Sequence, residues 1–349
     1  MLARVAENLY WMARYLERAE DTARLINATT MLLMDMPRGA SFGWDDLLRV
    51  VGLDKAFHQY HDEASETAVM SFLIQDERNP SSIFACVRLA RENTRTFREV
   101  LPRESWEWVN ELYLYTSTHL TSALDRRKRF DVLNEIIRLY TSTHLTSALD
   151  RRKRFDVLNE IIRRRQAVVG LLAGTMSRDE GFQFMRLGRN LERADMTTRV
   201  LDVSHAINVP YQSSEAALQL NLPDLIWMSV LHALSAHQMY RRHVSVHARG
   251  HKVLAFLLND PLFPRSVRHC LHEIQFALGE LPGVEPMRHL QGMLDQVDHA
   301  NYRALANSGL HAFCDDIQAR LAELNAVIAQ TFFRAAHSHN MTQSQFSLV

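Results

Sequence analysis

The chain alternates long stretches of helical periodicity with short polar or proline-containing breaks. From Leu2 to about Met34 there is no proline or glycine, and the break that follows spans Met36 to Gly39. Apolar residues recur within this stretch at steps of three and four, which places them on one face of an amphipathic helix. These apolar positions are Val5, Leu9, Met12, Leu16, Ala19, Ala23 and Ile26. The pattern therefore predicts a long first helix.

Later helices have recognisable starts. Asn79 can cap a helix whose first position is Pro80, and we expect this helix to run to about Val100. Ser177 and Glu180 have the spacing of a capping box, which predicts a helix to about residue 207. No alternating run of strand length is present, so the predicted fold class is all-α, a multi-helix bundle of long helices. Further helices are expected at residues 225–246, 252–258, 265–281, 287–307 and 310–333, with a connection at 210–223 and a frayed polar tail at 335–349.

The amino-acid composition is that of a globular protein, and it does not indicate a binding partner. Of 349 residues 47% are apolar, and 40 Lys and Arg balance 40 Asp and Glu, so no net field attracts nucleic acid or an acidic membrane. The three cysteines, Cys86, Cys270 and Cys314, show no metal or redox spacing and fit a reducing compartment. The first helix carries too many charges for a signal peptide, and no apolar run is long enough for a membrane span. We therefore expect a cytoplasmic protein.

One 25-residue segment occurs twice in succession, as Leu114–Arg138 and again, letter for letter, as Leu139–Arg163. A continuous helix could absorb the extra copy in register, because 25 residues make about seven whole turns; alternatively, the copy forms a protruding hairpin. Two copies do not make a repeat protein. Because the copies have not diverged, we interpret them as a recent or constructed duplication without a function of its own. The basic cluster in each copy is interpreted as a solvated face rather than a nucleic-acid patch.

A second, weaker repeat joins distant parts of the chain. The stretch RYLERA begins at Arg14, and RNLERA begins 175 positions later at Arg189. In each stretch the Glu and Arg side chains fall on one helical face, and a small residue, Ala13 or Gly188, precedes them. The pattern predicts two loosely similar halves of a single domain, residues 1–334. Their two motif helices would pack face to face with the Glu and Arg groups between them.

This charged face allows two interpretations. It is either a buried ionic network that fixes helix register, or an anion site, since guanidinium groups bind carboxylates and phosphates through paired hydrogen bonds. In the second case Glu17 and Glu192 are candidate catalytic residues, acting as bases or orienting groups. The candidate anion-binding residues are Arg14, Arg18, Arg189 and Arg193, with Arg91 as a third wall and Arg265 beside a predicted helix start.

Other motifs give little further chemistry. His243, His247 and His251 are spaced along one helical face, but without a third type of zinc ligand we expect solvent-facing histidines. The sequence contains no phosphate-binding loop, serine-hydrolase or dinucleotide-binding motif. We therefore expect neither a metal nor a cofactor, and whether the chain is an enzyme stays open.

A set of short stretches along the chain is far more specific than any one Glu-Arg pair. These stretches are Leu9–Glu20, Asn79–Ile83, Ala90–Asn93, Trp106–Asn110, Gly174–Met176, Arg178–Phe182, Leu187–Asp195, Tyr240–Arg242 and Phe263–Val267. Together they resemble the alpha-E family, bacterial all-helical proteins named for a repeated Glu-Arg motif. The second copy of the 25-residue segment departs from the family pattern. The resemblance implies that the protein acts together with ATP-grasp and transglutaminase-like proteins, and hence on peptide-type amide bonds.

Three functional hypotheses follow. The leading one is an assisting or partner subunit of an ATP-grasp or transglutaminase-like peptide-ligating or peptide-modifying system. Its doubled Glu-Arg face would hold a peptide carboxylate, a phosphorylated group or an acidic side chain of the partner. The second is an enzyme that uses Glu17 or Glu192 for proton transfer on such a substrate. The third is a structural helical adaptor. Helical faces of this kind also allow association of several copies of the chain.

Overall fold

The computed structural model describes residues 1–36, 43–124, 143–206 and 222–333. Every regular element in these ranges is a helix, which confirms the all-α prediction. Most of the predicted connection at 210–223, the tail at 335–349 and the junction between the duplicated segments lie outside them. The helices are α1 (Ala3–Asp35), α2 (Trp44–Val50), α3 (Asp54–His58), α4 (Glu66–Ile74), α5 (Ile83–Thr96), α6 (Arg103–Leu124), α7 (Thr143–Thr175), α8 (Glu180–Ala206), α9 (Leu222–Ala233), α10 (His237–His243), α11 (Gly250–Asn259), α12 (Val267–Gly279), α13 (Glu285–Asp298), α14 (Tyr302–Asn307) and α15 (Leu310–Phe332).

The helices α1 and α8 form the centre of the molecule and run in the same direction. The amino group of Met1 lies 2.7 Å from Glu180 at the start of α8, and further along the two helices Arg18 reaches Glu192. A run of α1 side chains is buried, including Tyr10 and Tyr15. Because α1 is enclosed on several sides, its polar face is buried as well as its apolar face.

Two helices pack antiparallel to the central pair. On α1, Asn27 bonds Asn159 of α7 at 3.0 Å, while Glu17, further back along α1, pairs with Arg165, further along α7. The helix α15 packs against both central helices, where Asn325 accepts a hydrogen bond from Tyr10. The polar face of α1 therefore faces residues from α7, α8 and α15.

The starts of α5 and α12 share one arrangement. Ser82 and Ser266 cap these helices, each accepting a hydrogen bond from the backbone N–H three residues later, at 3.2 and 3.1 Å. Four residues after each serine, buried Cys86 or Cys270 donates to the carbonyl of the proline before the cap, at 3.7 and 3.6 Å. These matching contacts support two similar halves, which stay a prediction.

The start predicted for α5 was wrong. Ser82 is the N-cap, whereas Asn79 donates to the Phe72 carbonyl at 2.9 Å and so holds the turn before the helix. The error arose because several capping residues stand together here. Ser82 is the one next to the first turn, and its hydroxyl accepts from a backbone N–H that has no partner within the helix. The helix also ends before the expected Val100, at Thr96.

The predicted capping box of α8 does not form. Asp179 accepts a hydrogen bond from the Phe182 N–H at 3.2 Å, so this carboxylate caps the helix in place of Ser177. An acid is favoured at this position because it also interacts with the helix dipole. The helix nevertheless ends at Ala206, close to the predicted end.

The single helix expected at 225–246 is broken. The helix α9 ends at Ala233, Ser235 adopts a left-handed conformation with φ of 52°, and α10 begins at His237. A left-handed residue cannot continue a right-handed helix. Because α10 ends at His243 and α11 begins at Gly250, the three spaced histidines do not share one helix.

The two copies of the duplicated segment contribute different parts to the fold. The beginning of the first copy forms the last part of α6, and most of the second copy lies in α7. Within α7, Arg151 and Arg154 pair with Glu66 at 2.8 and 2.7 Å. Glu111 of α6 lies 3.7 Å from Arg164 of α7, so the two helices are side by side. This excludes one continuous helix through both copies. Among the described helices, none is long and apolar enough to cross a membrane.

Candidate functional site

The close contact between α1 and α8 depends on a glycine. A Cβ atom placed on Gly188 would lie 2.2 Å from the carbonyl oxygen of Tyr10, far inside contact distance. Glycine therefore allows the backbones to touch. This confirms that the small residue before the second motif brings the two motif helices together.

Across this contact the two motifs exchange matching hydrogen bonds. Arg18 of α1 donates to both oxygens of Glu192, at 2.5 and 3.0 Å. In the reverse direction, Arg193 of α8 donates to both oxygens of Glu17, at 2.8 and 3.1 Å. Each arginine thus binds the glutamate of the other motif through a two-point fork, the strongest geometry available to this pair.

Glu192 is held by two arginines of α1. Besides Arg18, Arg14 donates from Nε to Glu192 Oε2 at 2.7 Å, and the side chain of Glu192 is 1% exposed. Burial alone would raise the pKa of Glu192, but the charges and hydrogen bonds of Arg18 and Arg14 outweigh burial and lower it to about 2. The carboxylate therefore stays ionised at neutral pH.

Glu17 is held by three arginines from three helical regions. Arg193 is joined by Arg165 of α7, which bonds Glu17 Oε2, and by Arg265, just before α12, at 3.2 Å. Burial would raise the pKa of this fully buried carboxyl, but the three positive charges lower it well below its usual range. Glu17 is the point at which α1, α7, α8 and the start of α12 are joined.

Two more acids extend this cluster along α1. Arg265 donates to Glu20 at 3.0 Å and to Asp21 at 2.5 Å, and Arg165 also bonds Glu20. Burial raises the pKa of Asp21 to about 7, with Arg265 opposing this shift and the neighbouring glutamate charges adding to it. The positive charge of Arg265 is thus balanced by carboxyl groups of α1.

This geometry favours the network interpretation of the two motif glutamates. Both are buried, both carboxylate oxygens of each accept hydrogen bonds from arginine, and the pKa of each is lowered. A carboxylate of low pKa is a weak base, and one without an exposed oxygen has no direct access to a substrate proton. Glu17 and Glu192 therefore suit a structural role better than a catalytic one.

Arg91 does not contribute to this site. It bonds Asn110 of α6 at 2.7 Å and lies over the rings of Trp106 and Tyr113. The expected third wall at Arg91 was wrong, because α6 covers this part of α5. Arg165 and Arg265 complete the enclosure instead.

A cavity of about 310 Å³ opens beside the Glu192 half of the network, between α1, α8 and α15. On its wall, Arg199 pairs with Asp195 at 2.8 Å, one helical turn away on α8. Arg14 and Arg18 also line it. We call this space the Arg14–Arg199 cavity; its polar lining residues are Arg14, Arg18, Asp195, Arg199, Gln318 and Asn325.

The arrangement of Glu-Arg pairs coincides with a family assignment. A family described as a predicted alpha-helical domain with a conserved ER motif matches residues 1–333. The chain belongs to the alpha-E family. Searches among curated proteins and among solved structures find no match. In this alpha-E chain, the Glu-Arg pairs at Glu17 and Glu192 are the ones that bind each other across the central helices.

Sequence reasoning missed several residues of this charged network. Arg165 follows two other arginines in a charged stretch after the duplication, and nothing in that stretch marks it as buried. Asn325, which accepts from Arg14 at 2.7 Å, lies in an ordinary amphipathic helix. Only Glu20 carried a signal, because it directly follows the first Glu-Arg stretch. The missing information was which helix packs there, which is a tertiary property.

Outside the network, one exposed group joins α8 to α15. His311 Nδ1 lies 2.9 Å from Asp202, and its Nε2 lies 3.4 Å from Asp315. The ligand atoms of the three residues lie within 4.8 Å of one another. The two ring nitrogens face different carboxylates, however, and one ion cannot use both nitrogens of one ring. The contacts are those of a hydrogen-bonded imidazole, and they raise the pKa of His311, chiefly through Asp202.

Proposed function

We propose that this alpha-E chain is a non-catalytic partner subunit of a peptide-ligating or peptide-modifying system, with an ATP-grasp or transglutaminase-like protein as its partner. Its role is to hold the carboxylate of a peptide in the Arg14–Arg199 cavity. The observation that carries this proposal is the convergence of three guanidinium groups from both motif helices on one cavity. Guanidinium forks are the side chains best suited to bind carboxylates.

The charge of the cavity supports an anionic ligand. Arg14, Arg18 and Arg199 carry three positive charges, against two negative charges on Glu192 and Asp195. One positive charge is therefore in excess, in a partly enclosed space where electrostatic attraction is stronger than in bulk water. An anion that enters the cavity would neutralise this excess.

Arg14 also has donor capacity to spare. Its Nε donates to Glu192, and its Nη1 donates to Asn325 and to the Tyr10 hydroxyl, at 2.7 and 3.4 Å. Its Nη2 has no hydrogen-bond partner among the residues that the structure describes. The cavity volume of about 310 Å³ lies at the lower end of small-molecule sites, which are usually about 300 to 1,000 Å³. The end of a peptide fits this size better than a whole folded surface.

A structural helical adaptor is the second candidate, favoured by the burial of the Glu-Arg network. An adaptor needs only the rigid bundle, whereas the partner subunit also needs the cavity. The two candidates can therefore be separated with a variant that changes the cavity and leaves the buried network intact. Arg199 is suitable because its carboxylate partner, Asp195, is on its own helix and 13% exposed.

Calorimetric titration with trialanine tests the ligand. We expect saturable binding of the peptide with a free carboxylate, and at least about tenfold weaker binding of its C-terminal amide, since one charge-assisted hydrogen bond contributes about 1.5 to 3 kcal/mol. Arg199→Gln should weaken trialanine binding by a similar factor. Arg320→Gln, which removes an exposed arginine paired with Asp316 on α15, is the matched control and should leave binding unchanged. Equal binding of acid and amide, or tighter binding of inorganic phosphate, would contradict the assignment.

Co-expression with an ATP-grasp-type protein from the same genome tests the partner. We expect a stable complex on size-exclusion chromatography and faster ATP-dependent peptide ligation in its presence. Arg199→Gln should keep the complex and reduce the stimulation. A complex whose ligation rate is insensitive to Arg199→Gln would favour the adaptor, and the absence of any complex would exclude this partner class.

A further inference from the structure

The two motifs differ at one pair of corresponding arginines, Arg14 and Arg189. Arg14 donates to Glu192, the glutamate of the opposite motif. By the same exchange Arg189 should donate to Glu17. Among the described residues, however, Arg189 makes no hydrogen bond or ion pair, and its Nε is buried without an acceptor. A buried donor without a partner loses its bond to water and gains none in return.

The reason lies in α7. Arg165 enters the network from this helix and bonds Glu17 Oε2 and Glu20, while Arg193 takes both oxygens of Glu17 from the other side. No oxygen of Glu17 is left for Arg189. On the Glu192 side, α15 presents Asn325 and Gln318 in place of an arginine, and Arg14 keeps its carboxylate.

No other acid near Arg189 takes the place of Glu17 as its partner among the described residues. Glu273, the nearest acid of α12, is bound at both oxygens by Arg186, at 2.7 Å each. Burial lowers the pKa of Arg189 to about 10, and the neighbouring charge of Arg193 adds to the effect. The guanidinium is still charged at neutral pH, in surroundings that disfavour its charge. A bound anion would remove this penalty.

Arg189 lines a small pocket whose other walls are mostly apolar. The pocket has a volume of about 30 Å³ and lies between α1, α7 and α8, with Met12, Leu16, Val169 and Phe182 among its walls. Because a single water needs at least about 10 to 15 Å³, this pocket has room for a group of two or three heavy atoms. It is too small for a peptide or a nucleotide. The apolar walls match a short aliphatic chain next to a small charged group.

We infer that Arg189 is the receptor of a second anion site, which binds the carboxylate of a short aliphatic acid. The carboxylate would accept from the unpaired guanidinium donors, and the aliphatic end would contact the apolar walls at the pocket mouth. This site uses the arginine that Arg165 displaces from Glu17, whereas the Arg14–Arg199 cavity uses Arg14 in its paired state. The inference is therefore independent of the proposed function.

Thermal unfolding of the full chain in sodium butyrate and in sodium chloride, at the same ionic strength, tests this site. A ligand that binds only the folded state raises Tm with its concentration. We expect butyrate to raise Tm by at least about 2 °C relative to chloride, with saturation. Acetate should have a smaller effect because it lacks the aliphatic end. An equal rise in chloride and butyrate would overturn the carboxylate assignment.

Substitutions test whether the butyrate-dependent rise in Tm arises at the pocket beside Arg189. The variants are made in the Arg199→Gln background, so that carboxylate binding in the Arg14–Arg199 cavity does not contribute to Tm. In that background, Arg189→Gln should abolish the difference in Tm between butyrate and chloride. Val169→Phe keeps Arg189 and fills the pocket, so it should abolish the same difference even if Arg189→Gln fails to fold. Arg288→Gln removes an exposed arginine on α13 and, in the same background, should retain the full response. A butyrate response that persists in Val169→Phe would overturn the inference.

Discussion

Arg18 of α1 binds Glu192 of α8 through two hydrogen bonds, of 2.5 and 3.0 Å, and both side chains are buried. The reverse pair, Arg193 with Glu17, makes the same fork in the opposite direction. Sliding either helix by one residue would break both forks together. The paired motifs therefore fix the register of the two central helices, and the surrounding helices are positioned on that register.

Removing the carboxylate of Glu192 should strongly destabilise the fold. Glu192→Gln leaves Arg14 and Arg18 buried with no opposite charge, and breaking a buried ion pair in this way costs about 3 to 5 kcal/mol. Urea unfolding measures the loss. Glu285→Gln, which removes an exposed acid of α13, is the control and should change the free energy of unfolding by less than about 0.5 kcal/mol. A similar small loss in Glu192→Gln would show that the network is not a source of stability.

The contribution of Glu192 should also depend on pH. Its pKa is about 2 in the folded chain, below the value of about 4.3 expected when unfolded. The stability from its ionisation is therefore complete above about pH 4.5 and is lost as the pH falls toward about 2. The gap in stability between wild type and Glu192→Gln should narrow over this window, as measured by urea unfolding at a series of pH values. A constant gap would contradict the lowered pKa.

Adding one methyl group at the contact of α1 and α8 should be harmful. Gly188→Ala places its Cβ 2.2 Å from the Tyr10 carbonyl oxygen, so the helices must separate and the two-point forks must stretch. We expect a loss of about 1 to 3 kcal/mol, typical of overpacking, in the free energy of unfolding. Gly170→Ala is the matched control, because Gly170 also lies inside a long helix, α7, but makes no close contact with another helix.

In that control, a Cβ at Gly170 meets nothing within 4 Å, and alanine favours the helix. Gly170→Ala should therefore stabilise the chain, by about 0.5 to 1 kcal/mol. If Gly188→Ala also stabilised the chain, helix propensity would outweigh the close contact and the role given to Gly188 would be wrong.

His311 should make a small, pH-dependent contribution to stability. Its pKa is raised in the folded chain, chiefly by the hydrogen bond with Asp202. The charged imidazole therefore stabilises the folded state below about pH 6.5, and this stability is lost as the pH rises through the raised pKa. From about pH 6 to pH 8.5, wild type should lose a few tenths of a kcal/mol more than His311→Gln, since the imidazole is half-exposed. Parallel pH profiles of the two proteins would contradict the raised pKa.

The duplication can be tested by deletion. The described end of α6, residues 114–124, and residues 150–163 of α7 together spell one complete copy of the repeated segment. Deleting residues 125–149 therefore leaves one copy and keeps Arg165 and the contacts of Arg151 and Arg154 with Glu66. We expect the shortened chain to fold with a Tm within about 2 °C of the full chain, a shift equivalent to about 1 kcal/mol for a chain of this length. A chain that fails to fold would show that both copies are needed.

Local pattern was enough to predict much of the fold. The spacing of apolar residues predicted α1 and the later helices, since a helix face depends on residues three and four apart. Helix starts were less certain, because several capping residues stand together at Asn79 and Ser82, and at Ser177 and Asp179. Which one caps depends on a turn made with residues further away.

The candidate site was predictable where its two halves share a sequence. The Glu-Arg stretches and Gly188 together predicted that α1 and α8 meet with charged groups between them, and the contacts agree. Arg91 was misplaced because α6 covers its side chain, and Arg165 was missed because its burial depends on how α7 packs on α1. Neither property follows from the residues beside these arginines.

By itself, the sequence determined the helices and the repeated Glu-Arg face, because both follow from local spacing along the chain. Only the tertiary structure decided which arginine reaches which carboxylate. Arg14 and Arg189 occupy the same place in nearly the same motif. Arg14 is paired with Glu192, whereas Arg165 binds the glutamate that Arg189 would otherwise bind. Ion pairing acts through space, so the partner brought by a distant helix determines the state of each buried charge.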